Sequence, residues 1–167
     1  MKTTVNSNTL KAALMCCGKN DIRYYLNGFY IDGDTIVAIN GHVAFKAPVD
    51  GCGDKRIVKF IGKPPTTYTK CVIDGDNAEF IDKNGDTVGI LKIETLDARY
   101  PDYNRLFTDT TTPTECIGFS GDYLQLIGKV TKLMSNNNVC EFKLDSAIKG
   151  TKVLCGAAQL VLMPCRV

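Results

Sequence analysis

The sequence predicts an α+β fold, and three features of its 167 residues carry that prediction. Apolar residues recur at helical spacing in only two segments, one near each end of the chain. Almost everything else alternates apolar and polar residues between turns rich in Gly, Asn and Asp, the pattern of half-buried strands. The last third repeats the element order of the first. The expected architecture is therefore two β-α-β-β-β units flanking a helix-poor middle section.

The first helix is expected over residues 8–17, with Ser7 as its N-cap and Gly18 as its stop. Leu10, Ala13, Leu14 and Cys17 then share one face. Strands follow over 23–31 and 35–39, separated by an Asp32-Gly33-Asp34 turn. Asn40-Gly41 is a strong hairpin signal, so 42–47 is the returning strand. The middle, 56–95, reads as strands with turns at Asp74-Gly-Asp-Asn77 and Lys83-Asn-Gly-Asp86. Gly62-Lys-Pro-Pro65 breaks the chain where a helix might otherwise sit, because proline lacks the amide proton and fixes φ. In the last third, 116–119 is a short strand and Ser120 an N-cap. Leu124, Ile127, Val130, Leu133 and Met134 then follow helical spacing over 122–134. The Asn136-Asn-Asn138 run stops that helix, and strands are expected over 139–144, 152–155 and 160–163.

Composition bounds the function classes. With 44% hydrophobic and 23% charged residues, the chain can bury a core and has the charge content of an ordinary soluble protein. A net charge of +2 and a pI near 8.1 are too mild for a protein that grips nucleic acid over its whole surface, so any DNA contact must come from local placement of charge. Eight cysteines invite a zinc or disulfide reading. There is no Cys-x-x-Cys pair, however, and His42 is the one histidine, so zinc-ligand spacing is missing. Cys116, Cys140, Cys155 and Cys165 sit in apolar, strand-like runs where cysteine acts as a small hydrophobe. Structural, reduced thiols and a cytoplasmic location are expected. The first ten residues lack the pattern of a signal peptide, and no apolar run reaches the ~20 residues of a membrane span.

Catalytic patterns are scarce. A single histidine rules out any site that needs two, and the phosphate-loop, dinucleotide-loop and nucleophile-elbow motifs are missing from the sequence. The carboxylates at 32/34, 50/54 and 74/76 all lie beside glycines, where Asp is an ordinary turn residue. A Cys16 or Cys17 nucleophile with His42 as base lacks an orienting third group. Both thiols also lie at a helix C-terminus, whose partial negative charge disfavours a thiolate. No catalytic residue, metal or cofactor is expected, and the protein reads as a binding protein rather than an enzyme.

Three segments carry a specific resemblance. Asp21-Ile-Arg-Tyr-Tyr-Leu-Asn-Gly28 is followed by Asn40-Gly-His-Val-Ala44; Arg99-Tyr-Pro-Asp-Tyr-Asn-Arg-Leu106 comes next; the chain ends Leu160-Val-Leu-Met-Pro-Cys-Arg-Val167. In order and spacing they resemble segments of the bacterial replicative sliding clamp, the β subunit of DNA polymerase III. That family's middle domain has Arg-Tyr-Tyr-Leu-Asn-Gly and Thr-Asp-Gly-His-Arg-Leu-Ala. Its linker has Phe-Pro-Asp-Tyr-Arg-Arg-Val, and its end is Tyr-Val-Val-Met-Pro-Met-Arg-Leu. The resemblance implies a truncated DNA-clamp (processivity) fold, with 1–107 a middle-domain-like region and 108–167 a half-domain like the second half of the last clamp domain.

In that family the three segments converge on a cleft that accepts a short peptide of the Gln-x-x-Leu-Phe type. By position, the cleft here would be lined by Arg23, Leu26, Gly41 and His42, by Pro101, Arg105 and Leu106, and by Val161, Leu162, Met163, Pro164, Arg166 and Val167. Aliphatic side chains and an adaptable Met suit apolar peptide anchors, and rim arginines suit backbone or Gln contacts. From the alternating pattern alone, Leu26, Val161 and Met163 read as ordinary core positions, and only the resemblance turns the reading toward a cleft. Ile39, Val43, Ala44 and Cys165 depart from the family's Thr, Arg, Leu and Met, so the pocket should differ in volume and lose a cation.

The resemblance also implies contact with double-stranded DNA without sequence specificity, through Lys11 and Lys19 at the first helix and Lys129 and Lys132 on the second. Four lysines on two helices could equally be a solvated face. The expected partners are a DNA polymerase or other proteins carrying a clamp-binding peptide, with a homo-oligomer completing a ring. The alternative is a monomeric clamp mimic, of the kind a phage or mobile element would carry, that competes for host replication proteins. A half-domain must cover its apolar face either within the chain or against another copy.

Overall fold

The computed structural model describes residues 2–108, 117–144 and 146–165. Strand β1 (Thr3–Asn6) runs directly into helix α1 (Ser7–Cys16). The cap is Asn6 rather than Ser7, because its side-chain oxygen accepts the Thr9 N–H at 2.8 Å. The Ser7 N–H is already committed to the Thr69 carbonyl at 2.8 Å, which fixes the strand-to-helix corner one residue earlier.

Strands β2 (Phe29–Ile39) and β3 (Val43–Ile61) form a long hairpin. Two expectations are corrected here. Residues 23–28 are not strand, since Tyr24–Asn27 form a 3-10 turn. The Asn27 side chain closes that loop by donating to the Asp21 carbonyl and accepting the Asp21 N–H, both at 2.9 Å. Asp32-Gly33-Asp34 is not a turn, since β2 runs straight through it, and the ladder shifts register on both sides of Gly33. The extra residues lie in β3, which advances eight residues from Pro48 to Arg56 while β2 advances four from Ile31 to Thr35. The Asn40-Gly41 hairpin is where it was expected.

The middle section is a meander of β4 (Lys70–Asp74), β5 (Asn77–Ile81) and β6 (Thr87–Leu96). Helix α2 (Gly121–Met134) then precedes β7 (Glu141–Lys143), β8 (Thr151–Cys155) and β9 (Ala158–Leu162). Ser120 is the N-cap residue as expected, although its side chain makes no capping bond. The expected strand over 116–119 is reduced to one bridge, Gly118 to Cys165, with Cys116 outside the described residues.

All nine described strands belong to one sheet, ordered β1-β4-β5-β6-β3-β9-β8-β7, with β2 on β3. The 19-residue β3 is the hinge of this arrangement. Its far half, 57–61, pairs with β6, and its near half, 43–46, pairs with β9. The first and last parts of the chain are thereby joined within one molecule, and α1 packs beside α2.

Alternation along the strands gives the sheet two apolar faces. The inner face packs against the helices and buries Leu10, Phe29, Phe45, Phe80, Ile127, Leu160 and Leu162. Each such side chain contributes roughly 1.5–3 kcal/mol by leaving water. The outer face carries a smaller cluster of Leu26, Val37, Ile39, Ala44, Ile57, Leu96 and Val161, under Tyr100 and Tyr103. Among the described residues, no helix is long and apolar enough to cross a membrane.

Candidate functional site

The β2–β3 turn is built by its own side chains. Asn40 Oδ1 accepts the His42 N–H at 3.0 Å and the Val43 N–H at 2.9 Å, the usual way Asn closes a tight turn. Gly41 has φ +89, a conformation that side chains with a Cβ resist. A Cβ there would also stand 2.8 Å from Arg23 Nη2. The turn and the 3-10 segment are thus pressed together, with the Arg23 guanidinium between them.

Arg23 is aimed by Asp21. Its Nε and Nη2 donate to the two carboxylate oxygens at 3.0 and 2.7 Å, and its backbone N–H donates to Oδ1 at 2.9 Å. These bonds hold the Asp21 carboxyl at a pKa of about 2, well below the ordinary carboxylate range. Two of the guanidinium's five N–H donors are engaged by Asp21, and both terminal nitrogens face the turn, Nη2 at 2.8 Å and Nη1 at 3.3 Å from where a Gly41 Cβ would be.

The C-terminal strand docks on the same turn. The Met163 N–H donates to the His42 carbonyl at 2.9 Å, extending the β3–β9 ladder by one rung. The His42 ring stacks on Tyr123 of α2, with centroids 4.9 Å apart and planes at 22°. Gly150 approaches from the loop before β8: a Cβ on it would sit 2.4 Å from Val161 Cγ1 and 3.2 Å from Met163 Sδ. Met163 nevertheless keeps 37% exposure, so its thioether is partly open to an incoming group.

The linker is held flat on the outer face by its tyrosines. Tyr100 stacks on Tyr30 at 4.8 Å, and the Tyr103 hydroxyl donates to Asp32 Oδ2 at 2.6 Å. Lys55 pairs with the other Asp32 oxygen at 2.9 Å. The Tyr103 hydrogen bond first, and then Lys55, lower the Asp32 pKa, while burial and Asp32 together push the Tyr103 hydroxyl up.

The structure brings Arg23, Gly41, His42 and Met163 together by direct contact, and it places Leu26 and Val161 beneath them in the outer cluster. Leu26 and Val161 are each only 2% exposed, so they act as floor rather than open lining. Leu162 is a correction. Alternation turns it to the inner face, where it is fully buried against the helix-side core, away from this surface. Pro101, Arg105 and Leu106 lie exposed on the linker, with Arg105 paired to Asp102 at 3.3 Å, and Pro164 is half-buried beside the tail. Arg166 and Val167 lie outside the described residues.

Several contributors were missed by the sequence reading: Asn40, Tyr123, Gly150, Asp32 and the two linker tyrosines. The Asn-Gly pair did signal the turn, but nothing local ties Tyr123 or Gly150 to a residue far along the chain.

On the helix side, Lys129 and Lys132 are exposed on α2, and Lys19 is exposed just beyond α1. Lys11 is committed elsewhere: its ammonium donates to the Thr66 carbonyl at 3.1 Å and lies over the Tyr68 ring. A groove of about 380 Å³ opens between the end of α1 and the start of α2, with Lys19, Asp21, Asn40 and Tyr123 in its wall. Among the described residues, no cluster of His, Cys, Asp and Glu could hold a metal ion.

No protein-family model matches the sequence, and no curated protein does. Solved structures do match. The DNA polymerase sliding clamp of Pseudomonas aeruginosa is similar at 14% identity and TM-score 0.58, over 100% of this chain and 67% of that one. The DNA polymerase III β subunit of Thermotoga maritima is similar at 13% and 0.62, over 100% and 66%. The sliding clamp of Bartonella birtlesii, solved bound to griselimycin, is similar at 16% and 0.61, over 99% and 66%. The chain spans about two thirds of the length of these proteins, and with its two helices on a strand-rich body it has the fold of the bacterial DNA polymerase III β sliding clamps.

Proposed function

We propose that the chain is a non-catalytic, clamp-like factor of DNA replication or repair that holds clamp-binding peptides of polymerases and related proteins. The surface is the one formed by Arg23, Gly41, His42, Leu106, Met163 and Pro164 over a Leu26–Val161 floor. The carrying observation is the Met163 N–H bond to the His42 carbonyl at 2.9 Å. It supports the reading that segments about 120 residues apart share one surface, as the resemblance implies. An aliphatic floor, a half-exposed thioether and a pre-aimed guanidinium suit an apolar peptide anchor and its backbone.

The test is fluorescence anisotropy of a labelled Gln-x-x-Leu-Phe peptide titrated with the protein. Saturable micromolar binding is expected, weakened about tenfold or more by Met163→Ala and lost with a scrambled peptide. Absence of saturation at high protein concentration would reduce these residues to core and surface.

A second reading is favoured by one observation. The chain covers its own helix face, with β9 on β3 and α2 beside α1, so folding does not require another copy. This supports a cytoplasmic monomeric competitor over a ring around DNA. Size-exclusion chromatography with light scattering separates the two. A monomer at micromolar concentration rejects the ring. An oligomer with salt-sensitive DNA binding, weakened by Lys129→Ala/Lys132→Ala, rejects the competitor.

A further inference from the structure

Three thiols meet where α1, α2 and the β7–β8 ladder converge, and the peptide surface uses none of them. The ladder registers Glu141 with Leu154, Phe142 with Val153 and Lys143 with Lys152. One step further, Cys140 stands opposite Cys155. Antiparallel alternation puts Cys140 on the face of Phe142, and Cys155 on the face of the fully buried Val153, which is the helix side for both. Directly opposed residues of such a pair have Cβ atoms about 4.5–5.5 Å apart, close to what a disulfide spans with a small adjustment.

The two thiols differ in access. Cys155 is fully buried, whereas Cys140 is only partly buried, packed against the edge of the helix-side core. Thr131 donates its one hydroxyl proton to the Ile127 carbonyl at 2.8 Å. The same hydroxyl lies 3.3 Å from Cys155 Sγ, a contact in which either atom can donate. Burial raises the Cys155 pKa, and Cys140 is among the groups that influence it, consistent with the two sulfurs being neighbours. Cys16, fully buried in α1, lies within electrostatic reach of Cys155 but has no access to solvent.

We propose that Cys140 and Cys155 form a reversible intrachain disulfide that staples edge strand β7 to β8 when the chain meets a low-molecular-weight disulfide such as oxidised glutathione. The Cys140 thiolate, its proton lost to solvent, attacks one sulfur of the reagent. The reagent S–S bond breaks and the first thiol leaves with a proton. The Cys155 thiol then gives up its proton and attacks Cys140 Sγ, expelling the second small thiol. Two protein thiols are oxidised and one small disulfide is reduced to two thiols. Cys140 is the entry point because the reagent can reach it. Cys155 resolves the mixed disulfide because it is the opposed neighbour.

The experiment uses the full chain carrying Cys165→Ser, which removes the exposed thiol near the tail, incubated with a glutathione redox series. Peptide mapping by mass spectrometry under non-reducing conditions should find the 140–155 linkage. The oxidised protein should melt about 5–10 °C higher than the reduced one, an increment that dithiothreitol reverses. Cys140→Ser, a near-isosteric change at a partly buried position, should fold normally and show neither the linkage nor the increment. Cys140 recovered only as its glutathione adduct, a linkage to another cysteine, or a linkage with no rise in melting temperature would each overturn the proposal.

Discussion

The two faces of the sheet are covered in different ways. The inner face lies under two helices and is almost wholly aliphatic and aromatic. The outer face is covered by an irregular linker whose grip depends on polar atoms: the Tyr103 hydroxyl on Asp32, Lys55 beside it, and the Tyr30–Tyr100 stack. An irregular segment cannot satisfy its backbone in regular ladders, so it relies on side chains to hold it down. The inner face sets stability, and the outer face is where distant segments can present exposed groups together.

The comparison breaks most visibly with Phe45→Ala. Phe45 is fully buried on the inner face, and its loss should cost about 3–5 kcal/mol in urea unfolding. A loss below about 1 kcal/mol would mean that the helix-side core is not packed as described. Tyr103→Phe should cost less, about 1–2 kcal/mol, by removing a hydrogen bond to a charged carboxylate on the outer face. That contribution also has a pH signature. The Asp32 pKa is lowered on folding, so its stabilisation is present above the ordinary carboxyl value near 3.8 and is lost as pH falls through the lower folded value. Acid should accordingly narrow the gap between wild type and Tyr103→Phe, and a gap that is constant down to pH 2 would assign the loss to packing instead.

Most of the inner face was legible in the sequence, because the helical spacing at 10/13/14/17 and 127/130/133/134 and the strand alternation are local patterns, although Leu124, on the same spacing, is exposed. The outer face was legible only in part. The Asn40-Gly41 turn announces itself, but the 3-10 turn at Tyr24–Asn27 depends on an Asn27–Asp21 clasp that pattern reading took for strand. The Asp32-Gly33-Asp34 stretch of β2 looked like a turn, because its residues are those a turn favours and the irregular ladder beside it is created by extra residues in β3. Whether Leu26 and Val161 are lining or floor, and which way Leu162 faces, is settled by how β9 registers on β3. That register is non-local and is written in no short segment.

Smaller effects sharpen the contrast. Asp21 should titrate near pH 2 by NMR, and Arg23→Ala should return it towards 3.8, because the arginine bonds are the main cause of its shift. An unchanged value in the variant would detach Asp21 from the aiming of Arg23. On the inner face, Thr151 carries a buried hydroxyl with no hydrogen-bond partner among the described residues. Thr151→Val should be neutral to slightly stabilising, within about 1 kcal/mol, in thermal unfolding. A clear loss would reveal that the hydroxyl has a partner after all.

The central claim is a location, so the most direct test is a map of backbone amide shifts as a Gln-x-x-Leu-Phe peptide is added to isotopically labelled protein. Perturbations concentrated at Arg23, Gly41, His42, Leu106 and Met163, with the helix face from Leu124 to Lys132 silent, are the predicted result. Shifts confined to the helix face, or none at saturating peptide, would contradict it.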